Sequence, residues 1–187
     1  ALRVAIITGA GDKFFCAGWD LKAAAQGEAV DSDYGVGGFG GLQELPGLNK
    51  PVIAAVNGIC CGGGLELALA CRYRVALEDQ RTRIGLPEIL LGIHPGFGRT
   101  VRSIERIGVL AAMDLMLTGR SIDARRAVKM GLIDSAVPER HLDHAVRALI
   151  MQARIPRGPG YAAKLANTRL LRPVVARILR RQVSKRA

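Results

Sequence analysis

The chain has no long apolar run; none approaches the roughly 18 residues that a membrane helix needs, so no helical span is expected. Aromatic residues make up only 4% of 187, and residues 162–187 hold none. Recognition of single-stranded nucleic acid by base stacking therefore has little to work with. Cysteine is sparse: Cys60 and Cys61 are adjacent, and Cys16 and Cys71 have no partner at metal spacing. That is no disulfide framework, and it suits buried thiols in a reducing compartment; a cytoplasmic location is expected. His141 and His144 stand at i, i+3 without the Glu of H-E-x-x-H, so no metal is expected. There is no G-x-S-x-G, no P-loop and no internal repeat. Gly9-Ala10-Gly11 begins a dinucleotide fingerprint, but Phe14 stands where the third glycine belongs and FFCAGWD opens no helix. No secretory signal is visible, and the first residues, ALRVAIITG, already read as a strand.

The apolar fraction, 49%, is enough for one sizeable core. The net charge of +11 is unevenly placed. Residues 1–119 carry 11 basic and 12 acidic side chains, whereas residues 120–187 carry 16 and 4. The basic end suits an acidic partner domain, a polyanionic ligand or nucleic acid.

The most informative stretch is 51–70, PVIAAVNGICCGGGLELALA. Residues 52–56 form an apolar run that ends at Asn57-Gly58, which predicts a buried strand and a turn. Gly62, Gly63 and Gly64 follow, and a helical pattern begins with Glu66 in its first turn. Consecutive glycines admit close backbone approach, and a helix start offers unpaired N–H donors. Such a place suits a negative oxygen. The plain alternative is tight packing with a surface Glu.

Along the chain, 4–8 reads as a buried strand and 15–21 as a small-residue loop leading into a short helix, LKAAAQ. Residues 27–41, GEAVDSDYGVGGFGG, read as a mobile loop or lid. Residues 73–77 read as a strand and 82–85 as an extended piece. His94 to Gly98 forms a second glycine turn, with His94 structural or pocket-lining. Helical patterns follow at 101–107, 109–118, 123–129, 141–153 and 161–185. Asp123 is a fitting N-cap, Gly131 a fitting stop, and Pro173 is expected to bend or break the last helix. Strands first and helices last predict an α/β core, 1–134, with a basic helical C-terminal region, 135–187.

Two carboxylates stand among apolar residues, Glu66 after the glycine triplet and Glu88 after Pro87. Such a pair can divide acid and base work on one substrate. Alternatively, they are two unrelated, partly exposed residues.

The segments FCAGWDLK (15–22), KPVIAAVNG…GGGLELALAC (50–71), GLPEILLGIHPGFG (85–98) and LTGRSIDARRAVKMGLID (117–134) resemble the crotonase (enoyl-CoA hydratase/isomerase) superfamily. Four motifs in the family's order make the resemblance specific. It implies a ββα spiral core, here lacking the first strands. Up to about Cys71 the chain looks most like carnitinyl-CoA dehydratase-type members. From about Arg72 it resembles the hydratase domain of the multifunctional fatty-acid oxidation α-subunit, which a hydroxyacyl-CoA dehydrogenase region follows.

The resemblance implies that the backbone amides of Gly63 and Trp19 hold the thioester oxygen of an acyl-CoA as it becomes an enolate. Glu66 and Glu88 would hold a water between them and move its protons. Ala17, Asp20 and Lys22 are the implied CoA contacts, with Ala17 backbone to adenine the better supported. No cofactor is implied beyond the acyl-CoA substrate. A homo-oligomer, trimer or hexamer, or a fused or associated dehydrogenase region is implied as partner. Two departures stand out: Trp19 replaces a small residue, and Gly98-Arg99-Thr100 replaces the family's G-x-G-G-T, adding a cation at Arg99. The two glutamates favour hydration or dehydration over Δ3,Δ2-enoyl-CoA isomerisation. Outside enzymes, a non-catalytic basic fragment that binds nucleic acid is the competing reading.

Overall fold

The computed structural model describes residues 3–27, 33–93, 96, 98–152 and 158–184. Its elements run β1 (Ala5–Thr8), β2 (Phe14–Cys16), α1 (Leu21–Ala25), β3 (Val52–Val56), β4 (Ile59–Cys61), α2 (Gly63–Ala70), β5 (Tyr73–Leu77), β6 (Ile84–Gly85), α3 (Arg99–Ile107), α4 (Val109–Thr118), β7 (Ser121–Ile122), α5 (Ala124–Met130), β8 (Ser135–Val137), α6 (Leu142–Gln152), α7 (Tyr161–Ala166) and α8 (Arg172–Ser184). Tight 3-10 turns occur at Phe39–Gly41, Pro87–Leu91, Glu139–His141 and Arg169–Leu171.

Strand β3 is apolar at every position and is buried at every position. A strand covered on both faces reads this way, and it suits a parallel sheet. That sheet has the order β1-β3-β5-β8, with Ile6 opposite Ile53, Ala54 opposite Arg74, and Ala76 opposite Ala136. Side chains alternate across it with period two. Val52, Ala54 and Val56 enter the main core with Leu65 of α2, Ile84 of β6, Leu115 of α4 and Ala127 of α5. Ile53 and Ala55 face the other way and join Tyr73, Val75 and Val146 of α6. Each such Val, Leu or Ile side chain contributes about 1.5–3 kcal/mol by leaving water.

The second sheet, β2-β4-β6-β7, is made of very short strands. The pairs β2–β4 and β4–β6 are parallel, and β7 is antiparallel to β6. A register shift between Phe14 and Cys16 marks a bulge in β2.

The structure departs from the sequence reading in several places. Residues 14–16 form a strand where a loop was expected, and β4 continues the chain after Asn57-Gly58. The expected boundary after Asp134 falls within the first sheet, because β8 is its fourth strand and α6 buries Val146 against it. The helix expected over 161–185 is broken before Pro173 into α7 and α8, and Pro173 sits in the first turn of α8, where no helical N–H partner is lost. Asp123 does cap α5, its Oδ1 accepting from Arg126 N at 2.8 Å, and Gly131 ends that helix at φ 83°. Among the described residues, no helix is long and apolar enough to cross a membrane.

A charged knot lies beneath α2. Arg74, 3% exposed, donates from Nη2 to Asp134 Oδ2 at 3.0 Å, and Arg106 Nη2 donates to Asp134 Oδ1. Arg74 Nη1 also donates to the carbonyl oxygen of Cys71 at 2.6 Å, where α2 ends. Burial pushes Arg74 down to about 10, with Asp134 pulling the other way. The knot joins β5, α3, the end of α2 and the lead into β8. It anchors the far end of the helix whose first turn carries Glu66.

Candidate functional site

Glu66 and Glu88 each leave a strand of the second sheet in the same direction. The parallel pair β4–β6 sets Cys60 opposite Ile84 and Cys61 opposite Gly85. The ladder runs one step further, Gly62 N donating to Gly85 O at 3.1 Å. From there one chain turns into α2 and reaches Glu66. The other enters the turn Pro87–Leu91, with proline at its first position, and reaches Glu88. Both carboxyl-bearing residues are enclosed, Glu66 at 0% and Glu88 at 4% exposure. Neither is therefore the partly exposed residue that the sequence left open.

Cys61 reports on the same place. Its thiol is pushed up to about 11, first by burial and then by the negative charge of Glu88. The Glu88 carboxylate thus acts across onto β4, the strand that leads to Glu66. Cys60, wholly buried, is pushed up mainly by burial, then by Cys61, Cys16 and Cys71.

The two segments that carry the amides singled out in the sequence also meet at this end. Strand β2 pairs with β4, so the loop after Cys16 lies against the glycine triplet. A methyl built on Gly18 would stand 3.0 Å from Gly63 N and 2.9 Å from Cys61 O. Gly18 is also at φ +101°, so glycine is required there twice over. Trp19 follows it directly in the chain. Packing makes its own demand on the triplet: a methyl on Gly64 would fall 1.9 Å from Cys16 O, and one on Gly63 would fall 2.4 Å from Phe39 Cε1. The close-packing alternative is thus part of the truth, and the glycines alone would not identify an oxyanion site.

The remaining expected contacts lie at the rim. Ala17, Asp20 and Lys22 are exposed. Asp20 Oδ1 accepts from Lys22 N at 2.8 Å and Ala23 N at 3.4 Å, so its carboxylate caps α1. Trp19 is half-buried, and its indole Nε1 is shut from solvent without a hydrogen-bond partner among the described residues. His94, Pro95, Phe97 and the Arg99 side chain lie outside the described residues, as do 28–32 of the expected lid. Among the described residues, no three His, Cys, Asp or Glu side chains group as metal ligands would.

Sequence reasoning passed over three groups. Asn57 was read only as a turn residue, yet its Nδ2 donates to Gly9 O at 3.0 Å and Gly11 O at 2.7 Å, fastening the first turn to the end of β3. Phe39, on the loop expected to be a lid, covers Gly63 and meets Tyr34 edge-on at 5.6 Å. Gln43 is buried behind it. The Asn-Gly signal pointed at Asn57; nothing local pointed at the other two. A cavity of about 920 Å³ lies elsewhere, at the opposite ends of β3 and β5, lined by Arg3, Lys50, Arg72 and Tyr73 among others.

Comparison with known proteins gives the family and the fold. A family model described as Enoyl-CoA hydratase/isomerase matches residues 1–183. The carnitinyl-CoA dehydratase of Proteus mirabilis (strain HI4320) is 49% identical over 152 residues, 81% of this chain and 58% of that protein. The carnitinyl-CoA dehydratase of Salmonella arizonae is 50% identical over 151 residues, 81% and 57% of the two chains. Among solved structures, a carnitinyl-CoA hydratase from Mycobacterium avium matches with TM-score 0.70 and 40% identity over 82% of this chain and 59% of that one. Enoyl-CoA hydratase EchA1 from Mycobacterium marinum matches with TM-score 0.69 and 42% identity over 81% and 57%. The α/β spiral expected from the motifs is the fold these structures share with the chain. The chain spans under three-fifths of the length of these four relatives.

Proposed function

The chain belongs to the enoyl-CoA hydratase/isomerase family, and from that premise we propose that it serves a hydro-lyase that adds or removes water across the 2,3-double bond of an acyl-CoA thioester. The observation that carries this is the enclosure of Glu66 and Glu88 at one end of the paired strands β4 and β6. In the hydration direction the amides of Gly63 and Trp19 receive the thioester oxygen. As water oxygen bonds to C3, one carboxylate takes the water's proton and the π electrons shift through C2 and C1 onto the thioester oxygen. The other carboxyl group delivers a proton to C2, and the enolate collapses back to the thioester. Preorganised amide donors contribute several kcal/mol to such a step, because they meet charge only as it develops. No electron is gained or lost overall, so the step needs no redox cofactor.

Ala17, Asp20 and Lys22 sit at the rim where the long CoA arm would leave. With Asp20 engaged as a helix cap, Ala17 backbone and Lys22 remain the stronger candidates. The same reading extends to a homo-oligomer or an adjoining hydroxyacyl-CoA dehydrogenase region, and to a place in cytoplasmic acyl-CoA metabolism. The matched dehydratases make carnitinyl-CoA the first substrate to try.

The test follows the enoyl-thioester absorbance during hydration of crotonyl-CoA and dehydration of carnitinyl-CoA. Glu66→Gln and Glu88→Gln should each lower kcat by about 10²-fold or more while CoA-ester binding is kept. A folded protein with no effect on either absorbance would count against the hydro-lyase reading. Full activity in either variant would overturn the shared role. Activity only on a 3-enoyl-CoA would replace hydration with isomerisation.

A further inference from the structure

A buried carboxamide on the chain just after Phe39, which covers Gly63, has no partner among the described residues. Gln43 is 7% exposed, and its Oε1 and Nε2 are both shut from solvent without a hydrogen bond. A side-chain amide carries two donors and an acceptor, and folded proteins rarely leave such a group dry.

Its position is well bracketed. Oε1 lies 3.5 Å from a methyl built on Gly40, a point that Leu67 Cδ1 approaches within 3.3 Å. Leu67 follows Glu66 on α2, and Phe39 of the same loop covers Gly63. On the other flank Arg102 of α3 donates from Nη2 to the Gln43 carbonyl oxygen at 2.7 Å. Nη1 of that arginine lies 2.9 Å from a methyl built on Gly98, in the turn that opens α3. Gln43 therefore lies between α2, whose Leu67 comes near its carboxamide, and α3, whose Arg102 holds its main-chain oxygen.

We propose that Gln43 is a specificity-determining residue: its carboxamide pairs with a hydroxyl carried by the acyl chain beyond the double bond, so that hydroxylated acyl-CoA esters are preferred to alkyl esters of the same size. The proposal deepens the acyl-CoA reading and rests on it. An alkyl tail against Gln43 leaves donor and acceptor both unmet, whereas a hydroxyl answers both. A site built to pair with a hydroxyl discriminates strongly against the analogue lacking it, because its own buried group is then stranded.

Matched substrates test this. 4-Hydroxybut-2-enoyl-CoA and pent-2-enoyl-CoA differ by hydroxyl for methyl, and 5-hydroxypent-2-enoyl-CoA and hex-2-enoyl-CoA repeat the comparison one carbon further. For at least one pair the unaltered protein should favour the hydroxyl ester in kcat/KM by roughly tenfold. Gln43→Met or Gln43→Leu should erase that ratio by loss on the hydroxyl ester alone. Calorimetric binding of the saturated pairs, 4-hydroxybutyryl-CoA with valeryl-CoA and 5-hydroxyvaleryl-CoA with hexanoyl-CoA, reads the same ratio without turnover. Binding that favours the hydroxyl ester without turnover of any enoyl ester would overturn the hydro-lyase reading and uphold Gln43. Parity in the unaltered protein for every pair would overturn the role of Gln43, whatever the variants do. A ratio unmoved in a folded variant would do the same, and would leave Gln43 a packing residue.

Discussion

Gly18→Ala should separate fold from catalysis. The new methyl would lie 2.9 Å from Cys61 O and 3.0 Å from Gly63 N, both backbone atoms of the turn between β4 and α2. Neither can swing aside as a side-chain tip would, so the loop bearing Trp19 must draw back from the Gly63 amide. Alanine at φ +101° adds a conformational cost of about 1–2 kcal/mol. Gly11→Ala is the control, since it carries the same kind of backbone cost at φ +75° with nothing within 4 Å of the methyl. Both variants should lose about 1–2 kcal/mol in urea unfolding, Gly18→Ala somewhat more. Only Gly18→Ala should lose turnover, by about 10²–10³-fold in kcat, the cost of misplacing one oxyanion donor. The assay is crotonyl-CoA hydration under conditions where each variant stays folded. Gly18→Ala with kcat within threefold of the unaltered protein would refute the paired-amide reasoning.

Two other perturbations bear on stability. Asp134→Ala would strand Arg74 and Arg106 in the core, and a loss of about 3–5 kcal/mol in urea unfolding is expected; a loss under 1 kcal/mol would show the knot to be solvated. Burial pushes the Cys61 thiol up to about 11 and Cys71 to about 12, from an ordinary 9.0. Between those values the folded chain keeps protons that the unfolded chain has released, so the stability is whole below pH 9 and drains as pH rises, at up to about 1.4 kcal/mol per thiol per pH unit. Unfolding free energies from pH 8 to 10 should fall more steeply for the unaltered protein than for Cys71→Ala; equal slopes would contradict the assignment.

The legible parts of the fold were those long enough to show a period. β3 is an unbroken apolar run, β5 is one interrupted only by Arg74, and α3, α4 and α5 carry helical spacing, with Asp123 as a fitting cap and Gly131 as a fitting stop for α5. The strands β2, β4, β6 and β7 have two or three residues each, too few to distinguish from loop. Yet β4 and β6 hold the register that brings Glu66 and Glu88 to one end. The two glutamates were visible in the motifs, but their burial was not. Gln43 and Phe39 acquire meaning only when the loop after residue 33 packs on α2, a long-range contact with no local signature. The change of charge after residue 119 suggested a separate basic layer, but charge follows the surface, and β8 and α6 lie beyond the expected boundary while completing the first sheet and its covering.

Mass spectrometry of the 3-hydroxyacyl product formed from crotonyl-CoA in deuterated, ¹⁸O-labelled water tests the central claim most directly. The account predicts one ¹⁸O at C3 and one deuterium at C2 in each product molecule, with formation of that product lost in Glu66→Gln and in Glu88→Gln. Deuterium entering recovered substrate without ¹⁸O would mean proton shuttling alone, and would contradict two carboxyl groups acting on a single water.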